Sequence, residues 1–472
     1  MSYSLADLTL NQAIPEPPAS GAELARLQLQ HGVAAAERGD RAAAAKAFGA
    51  AMRLDPMQAD AASNLAALCN IEGHLTQAEA LCRAALQIAP DHVAALTNLG
   101  NALHGLGRHA DAIAAFRAAL TRAPQAADPL AGLGLSLQAL GHMAPAIACF
   151  RAGVAATPAC PVAHVNLAHG LLAAGQFDEG WAELEWRAAA PDRRKSVLPG
   201  APWRGEPLYG RRVLVQEEGG YGDILQFARY VPLILQRGGH VVLRAHRPLL
   251  RLLGQLPGLE VVDVAAPLPR YDLRCSLLSL PRLFGTGLTS VPPPLPLQAA
   301  PDRVAAWRAR IAPDGAFVVG LAWAGAPRLN DPEQAAMDRR RSMALADLAP
   351  LAGLANIRLV SLQNGAAAGQ IASSGLPVFD AMTEMDDFAD TAALAAACDL
   401  VISVDTAMLH LAGSLGRPVW LLDRYDGCWR WMKQRADSPW YPTLRLFRQP
   451  VPGDWPTVVA DVAQALKDRI SA

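Results

Sequence analysis

A 34-residue period runs through the first 190 residues and constrains the fold of this 472-residue chain more than any other feature. Glycine, leucine and proline each recur in this register, except that the last proline step is 33 residues. The glycines are Gly39, Gly73, Gly107, Gly141 and Gly175, the leucines are Leu65, Leu99, Leu133 and Leu167, and the prolines are Pro56, Pro90, Pro124, Pro158 and Pro191. A period of this length is typical of stacked supersecondary units, because each unit can bury its apolar face only against its neighbours.

Each unit is predicted to contain a helix, a tight turn at the glycine, a second helix and a closing proline. In Asp91–Pro124 the chain turns at Gly107, and Ala112, Phe116 and Leu120 mark the apolar face of the second helix. Glycine adopts turn conformations that other side chains disfavour. We expect each proline to begin the next helix, where its missing N–H is not needed.

This pattern resembles the tetratricopeptide repeat, with about five repeats over residues 22–191. The resemblance implies an α-solenoid with a concave face that binds other proteins. Asn64, Asn98 and Asn166 recur at one position of the first helix of their units. They either line the concave groove and hold a peptide backbone or are ordinary polar positions.

Composition narrows the class of partner and the compartment. There are 42 basic and 43 acidic residues, giving a net charge of −1, so a nucleic-acid partner is not expected. The seven cysteines contain no CxxC pair and are odd in number, which favours a reducing compartment and no zinc site. The first 20 residues lack a basic, apolar secretion signal, and no long apolar run is present. We therefore expect a bacterial-type protein of the cytoplasm without a transmembrane segment.

After Pro191, short β-branched runs alternate with helical segments. The predicted strands are Val213–Gln216, Val241–Leu243, Glu260–Val264, Phe317–Trp323, Leu359–Gln363, Val401–Val404 and Val419–Leu422. This alternation predicts parallel sheets covered by helices. The proline-rich segment Val291–Pro301 divides the region into two Rossmann-like lobes, residues 192–300 and 301–472, with a final helix from Trp455. Ligands of such sheets bind beyond the carboxyl ends of the strands.

The first candidate motif follows the strand that ends near Gln216. Gly219, Gly220 and Gly222 form a flexible loop, and Asp223 opens a helix. The spacing differs from the GxGxxG of dinucleotide-binding proteins, which disfavours an NAD-dependent oxidoreductase. The loop directs backbone N–H groups and one carboxylate towards the cleft between the two predicted lobes. Asp223 is therefore a candidate catalytic residue, or alternatively only a helix N-cap.

The second motif follows the buried strand that ends at Val404. Asp405 and Thr406 precede a helix that carries His410. A helix N-terminus at this place suits a diphosphate group. The alternatives are that Asp405 and Thr406 only cap the helix and that His410 packs against its neighbours.

Two further segments carry unusual side chains. The basic run 338–343, with Arg328 upstream, could neutralise a leaving diphosphate or could be a solvated loop. Residues 427–447 concentrate aromatic side chains in a chain that has few of them. These rings either stack on a base or sugar or fill the junction between the lobes.

The four segments together resemble glycosyltransferase family 9, the heptosyltransferase-like enzymes, and more closely the bacterial proteins that fuse tetratricopeptide repeats to such a domain. The resemblance implies a GT-B fold with the acceptor lobe first, a nucleotide-sugar donor, inversion at the anomeric centre and no metal or other cofactor. It further implies that Asp223 is the general base, that Asp405, Thr406 and His410 bind the donor, and that Arg339 or Arg341 lies near the diphosphate.

The sequence departs from the family pattern at two places. Ala407 stands where the family often has glycine after the Asp-Thr pair. The loop Asn330–Met337 also looks longer than usual, which affects the expected position of the arginines.

The leading hypothesis is transfer of a sugar to a protein or glycan that the repeats recruit. The alternative is a non-catalytic scaffold whose second domain only senses nucleotide sugars. The presence of Asp223 and the arginines favours the enzyme.

Overall fold

The computed structural model describes residues 20–190, 198–328 and 332–471, which fall into two compact units on either side of residue 124. Paired helices make up the first unit and open the second. The helices of the first unit are α1 (Gly21–Glu37), α2 (Arg41–Leu54), α3 (Ala59–Glu72), α4 (Leu75–Ile88), α5 (Val93–Gly105) and α6 (His109–Arg122). The second unit begins with α7 (Ala127–Ala139), α8 (Met143–Ala156), α9 (Pro161–Ala173) and α10 (Phe177–Leu184).

The periodic glycines turn the chain between the two helices of a repeat. Gly107 has φ +78°, a left-handed conformation, and Arg108 then donates its N–H to the carbonyl oxygen of Leu103 at 2.9 Å. The same geometry recurs at the other glycines of the register. Each first helix therefore ends in a Schellman motif, which satisfies carbonyl groups that the helix end leaves open.

The periodic prolines among the described residues do not begin the next helix, so for them this expectation was wrong, and Pro191 lies outside the described residues. Pro56 lies in a turn, and α3 begins at Ala59. The N–H of Gln58 donates to the carbonyl oxygen of Asp55 at 3.2 Å, which makes Pro56 the second residue of a four-residue turn. The fixed φ of proline suits this position.

A second set of small residues accepts aromatic rings within the repeats. A Cβ atom at Gly100 would lie 2.5 Å from the Phe116 ring, and one at Gly134 would lie 2.5 Å from the Phe150 ring. Each glycine is on the first helix of its repeat, and each phenylalanine is buried on the second. The missing side chains let the rings sit directly on the neighbouring helix backbone.

Asn98, one of the three recurring asparagines, is used inside the solenoid. Its side-chain amide donates to the carbonyl oxygen of Ser63 at 3.0 Å, and the amide of Asn70 donates to the carbonyl oxygen of Asn98 at 2.9 Å. These bonds join successive first helices. Peptide binding by Asn64 and Asn166 stays a prediction.

The first of two parallel sheets has the order β1-β5-β2-β3-β4 within the described residues. Its strands are β1 (Ala201–Pro202), β2 (Arg212–Gln216), β3 (His240–Ala245), β4 (Leu259–Asp263) and β5 (Leu273–Ser276). Its helices are α11 (Tyr221–Phe227), α12 (Val231–Leu235), α13 (Leu250–Leu253) and α14 (Leu280–Leu283). The strand order reverses between β2 and β5, which creates a crevice at their carboxyl ends.

The second sheet has the order β11-β10-β9-β6-β7-β8 in the described part of the chain. Its strands are β6 (Phe317–Ala322), β7 (Ile357–Ser361), β8 (Val378–Asp380), β9 (Leu400–Val404), β10 (Val419–Asp423) and β11 (Leu444–Arg448). Its helices are α15 (Pro301–Ile311), α16 (Pro332–Arg341), α17 (Ala349–Ala352), α18 (Gln370–Ser374), α19 (Phe388–Ala397), α20 (Ala407–Ser414) and α21 (Trp455–Ser471). This is the strand order of the Rossmann fold, with its reversal between β6 and β9.

The last repeat helix is built into the core of the α/β region. Trp181 of α10 is 2% exposed, and its indole N–H donates to the carbonyl oxygen of Thr286 at 2.9 Å. Its ring centroid lies 6.5 Å from that of Phe227 and 5.5 Å from that of Trp429, so it contacts residues that follow strands of both sheets. Within the second unit, the end of the solenoid and the two sheets therefore share one apolar core.

The predicted fold class, a solenoid followed by an α/β region of two Rossmann-like lobes, is confirmed. The domain limits at 191/192 and 300/301 stay predictions. No helix among the described residues is both long enough and apolar enough to cross a membrane.

Candidate functional site

The candidate site lies where the carboxyl ends of β2 and β9 approach each other. Helix α11 follows β2 and helix α20 follows β9, and the two helices pack together. A Cβ atom at Gly222 would lie 2.7 Å from Cδ2 of His410 and 3.6 Å from Cα of Ala407. Gly222 is therefore needed for close packing, and two motifs that are far apart in the sequence form one site.

The glycine loop holds the carboxylate of Asp223. The backbone N–H of Gly220 donates to Oδ2 of Asp223 at 2.7 Å. Gly219 has φ +83°, and a Cβ atom there would lie 2.1 Å from the same oxygen. Helix α11 begins at Tyr221, so Asp223 is its third residue and not its N-cap. The loop thus fixes the carboxylate by wrapping backbone around it.

Arg430 faces Asp223 and was not predicted as a site residue. Its guanidinium forms an ion pair with Oδ1 of Asp223 and donates to Oε1 of Gln226 at 2.6 Å. It also lies over the Trp429 ring, 4.4 Å from the centroid. Burial lowers the pKa of Arg430, but the Cys428 thiol and the Asp223 and Asp405 carboxylates outweigh this and raise its pKa on balance. Arg430 lies between Trp429 and Trp431, in the segment 427–447, for which only the aromatic side chains were predicted to contribute to a site.

His410, on α20, is buried between α11 and the aromatic segment 427–447. It is 5% exposed, its Nδ1 shares a hydrogen bond with the Tyr441 hydroxyl at 3.0 Å, and its ring stacks on Trp431. Burial, together with the charges of Arg430 and Arg229, lowers the pKa of His410 well below its usual value. The ring is therefore neutral at physiological pH and contributes to the packing that holds α11 against α20.

Arg341 connects α16 with the Asp405 loop. Its Nη1 donates to the carbonyl oxygen of Asp405 at 2.9 Å, while Nε and Nη2 both contact Oδ1 of Asp338, at 2.9 and 2.7 Å. Gly325, after β6, leaves room for this pair, because a Cβ atom there would lie 2.1 Å from the Asp338 oxygen. Arg341 is thus placed at the β6/β9 reversal.

Thr406 occupies the N-cap position of α20 without capping it. Among the described residues its hydroxyl makes no capping hydrogen bond, and it instead lies 3.1 Å from the Ser403 hydroxyl. The alternative that Thr406 serves only as a cap is therefore not supported.

Arg339 is exposed on α16, two residues before Arg341. The segment Asn330–Met337, expected to be a long loop, is helical from Pro332, and its residues 330 and 331 lie outside the described residues. Because these arginines lie on a helix and not on the expected loop, successive side chains point in different directions. Arg341 contacts the Asp405 loop, and Arg339 does not.

A cluster of charged residues around the carboxyl end of β10 was also missed. Arg340 contacts Asp426 at 3.0 Å, and Arg424 contacts it at 3.3 Å. Burial lowers the pKa of Lys433 to about 8, with Arg448 adding to the effect. Burial also raises the pKa of the Asp423 carboxyl, which pairs with Arg448, to about 6. Titration shifts of this kind are common at functional sites.

The aromatic segment 427–447 fills the core. Trp429, Trp431, Trp440 and Tyr441 are each at most 8% exposed. They pack against Trp181, Phe227 and His410. Of the two interpretations of this segment, the geometry favours filling of the junction over stacking on a ligand.

Comparisons with known proteins agree with a chain that has a repeat region first and an α/β region second. Residues 57–125 match the tetratricopeptide repeat, and residues 365–422 match glycosyltransferase family 9 (heptosyltransferase). The second match includes Asp405, Thr406 and His410, while Asp223, Arg339 and Arg341 lie outside it.

The chain is similar to Protein FlbA of Caulobacter vibrioides, with 31% identity over 329 residues, which is 63% of this chain. The chain spans about half the length of that relative, 54%. Two solved structures show lower similarity. A thermophilic TPR protein of Thermus thermophilus is 22% identical over 36% of this chain and 96% of its own, with a TM-score of 0.34. The pilF protein of Pseudomonas aeruginosa is 22% identical over 36% of this chain and 77% of its own, with a TM-score of 0.33.

The chain is thus similar to tetratricopeptide repeat proteins over residues 57–125 and to glycosyltransferase family 9 over residues 365–422, in line with its helical repeats and paired parallel sheets.

Proposed function

We propose that this chain transfers a sugar from a nucleotide-sugar donor to a protein or glycan acceptor that the repeats recruit. The acceptor hydroxyl attacks the anomeric carbon, the bond from that carbon to the diphosphate oxygen breaks, and the anomeric centre inverts. Asp223 takes the proton of the hydroxyl, and the electron pair of the broken bond stays on the diphosphate. A positioned base of this kind contributes roughly 10²–10⁴-fold to the rate.

The observation that carries the proposal is the position of Asp223 opposite the second sheet. Its carboxylate meets Arg430, and its helix packs on α20, whose first residues follow Asp405 and Thr406. A donor bound at the β6/β9 reversal would thus present its anomeric carbon towards the carboxylate. Catalysis by proximity requires this kind of convergence.

The donor diphosphate is proposed to lie at the N-terminus of α20, near Arg341. Backbone N–H groups at a helix start and a nearby guanidinium both stabilise the negative charge that develops on the leaving group. Arg339, exposed on the same helix as Arg341, adds positive charge. These groups do the work that a metal ion does in other transferases, so we propose that the reaction needs neither a metal nor another cofactor. We place the reaction in the cytoplasm, in line with the cysteine usage of the sequence.

The first test is a thermal-shift screen against UDP, GDP, ADP, CMP, dTDP and their common sugars. A true donor stabilises the folded state by mass action, so the melting temperature should rise with the dose of one nucleotide family. The nucleotide sugar that gives the shift is then assayed for release of its nucleotide with and without a chelator. Equal release in both would support the metal-free mechanism. No shift with any nucleotide would contradict the proposal, and a shift without release of the nucleotide would favour the scaffold that only senses nucleotide sugars.

A further inference from the structure

A cavity of about 860 Å³ opens at the β2/β5 reversal of the first sheet, beside the proposed base. Its floor is the segment that follows β2, from Gln216 to Gly219, together with Ser276 of β5. A Cβ atom at Gly219 would touch the Asp223 carboxylate, so this wall lies directly against the base. A crevice at a strand-order reversal is where open α/β sheets bind their ligands.

One wall of this cavity comes from the end of the repeat region. Residues 185–189 form a short 3-10 helix directly after α10, and Glu185 and Arg187 line the cavity. The guanidinium of Arg187 donates from Nε and Nη2 to the two oxygens of Glu218, at 2.8 and 2.9 Å. It also donates to Oε1 of Glu185 at 2.9 Å and to the Ser279 hydroxyl at 2.9 Å. A repeat residue thus ties the solenoid end to the floor of the cavity.

Each acidic side chain of the cavity has an arginine partner. Arg187 pairs with Glu185 and Glu218, and Arg244 lies 3.5 Å from Glu217. Burial lowers the pKa of Arg187, yet the Glu218 and Glu185 carboxylates raise it on balance, which keeps the guanidinium charged. These glutamates therefore do not favour a cationic ligand.

Among the described residues the lining has four arginines and three glutamates, so its net charge is positive. Arg204, Arg274 and Arg282 line the cavity, and within the described ranges none of their guanidinium groups forms an ion pair with a carboxylate. Arg204 and Arg282 are exposed to solvent, and Arg274 is partly buried, with its Nε donating to the carbonyl oxygen of Gly200 at 3.1 Å. Guanidinium groups of this kind favour carboxylates, which they bind through two N–H groups.

We propose that this cavity binds an acidic peptide segment of the acceptor protein and leads it from the end of the repeats to Asp223. The inference rests on the proposed function for the identity of the bound protein as an acceptor. A peptide fits better than a free sugar because the wall continues from a repeat region, the part of the chain that is suited to protein binding. The three arginines select acidic side chains near the modified hydroxyl.

The test measures binding and needs no donor. The probe is fluorescein-labelled hexaglutamate, titrated with the full chain at low salt and followed by fluorescence anisotropy. In the variant R204E/R282E the Kd should rise at least tenfold. The matched control K467E/R469E changes the same number of charges at exposed positions of α21 and should leave the Kd within twofold. Melting temperatures of both variants check that they fold.

Three outcomes of the anisotropy titration would overturn the inference, and a fourth outcome comes from inorganic phosphate. The three are an unchanged Kd in R204E/R282E, an equal loss in the control variant, and equal binding of labelled hexaglutamine. Inorganic phosphate that binds through the same arginines while hexaglutamate does not bind would also overturn it and would assign the cavity to a phosphate group. A chain that binds hexaglutamate but releases no nucleotide from any donor would contradict the proposed function and leave the acidic-peptide site standing.

Discussion

Asp223 and Arg430 stand 207 residues apart in the sequence and form an ion pair at the candidate site. One belongs to the helix that follows β2 and the other to the segment that follows β10. Arg430 also donates a hydrogen bond to the side chain of Gln226. Two residues of α11 are therefore contacted by one side chain from the segment that follows β10 of the second sheet. The pair therefore couples the position of the proposed base to the packing of both sheets.

Replacing Asp223 with asparagine should slow transfer by orders of magnitude and preserve the fold. The amide still accepts the N–H of Gly220 but cannot take a proton, so we expect the rate of transfer to fall roughly 10²–10⁴-fold. Nucleotide release is measured with the donor found in the thermal-shift screen, and nucleotide binding should remain. Asp302→Asn, on the exposed first turn of α15, is the control and should transfer at the normal rate. Normal transfer by Asp223→Asn would remove Asp223 as the base.

Acidification should destabilise the chain through His169 of α9. Burial, followed by the charge of Arg430, lowers the pKa of His169 to about 4, below the value near 6.5 in the unfolded chain. The unfolded state then binds more protons than the folded state between about pH 4 and 6.5, so stability falls as the pH drops through this window. Urea unfolding at several pH values measures this loss of stability.

The His169→Asn variant should show a weaker dependence of stability on pH over that window than the unaltered chain. His142→Asn serves as the control, since His142 is exposed, and should keep the original slope. An unchanged slope in His169→Asn would contradict the assignment.

Two glycine-to-alanine changes in the fourth repeat should have opposite effects. At Gly134 a methyl group would collide with the buried Phe150 ring, so we expect a loss of about 1–3 kcal/mol in the free energy of unfolding. At Gly153, in α8, a Cβ atom would meet nothing within 4 Å, and alanine should stabilise the helix by about 0.5–1 kcal/mol. Urea unfolding of the two variants measures both changes. Equal effects would show that the ring contact does not limit the packing.

Two tryptophans of the last repeat allow the stability contributed by core packing to be compared with that contributed by surface packing. Trp181 is buried among Phe227, Trp429 and Trp440, and Trp181→Ala should cost about 3–5 kcal/mol. Trp186 is 36% exposed and stacks on His164, so Trp186→Ala should cost clearly less. Thermal unfolding measures both. Similar melting temperatures would mean that the solenoid end contributes little to the stability of the α/β region.

The elements that repeat or alternate regularly were predictable, because their hydrophobic and turn patterns are local. Every predicted strand is present, with ends that differ only slightly from the expected ones. The strands β1, β5, β8 and β11 were missed. Their short runs, such as Leu273–Ser276, contain charged or polar residues or proline and depend on neighbouring strands for pairing. The role of the prolines was misjudged because a turn and a helix start both suit a fixed φ.

Candidate site residues could be predicted where a motif places them next to each other in the sequence. The loop Gly219–Asp223 and the segment Asp405–His410 were found in this way, and the structure brings them together. Arg430, Lys433 and Asp423 were missed because their importance comes from burial and from partners distant in the chain. No local pattern of residue types carries that information.

The packing of Trp181 gives the solenoid one anchored end. Because each repeat contacts mainly its neighbours, whole 34-residue units could be added or lost near α1–α4 without moving α9 and α10 against the sheets. The length of the repeat region can then change in evolution while the packing around Trp181, and with it the position of the proposed base, stays constant.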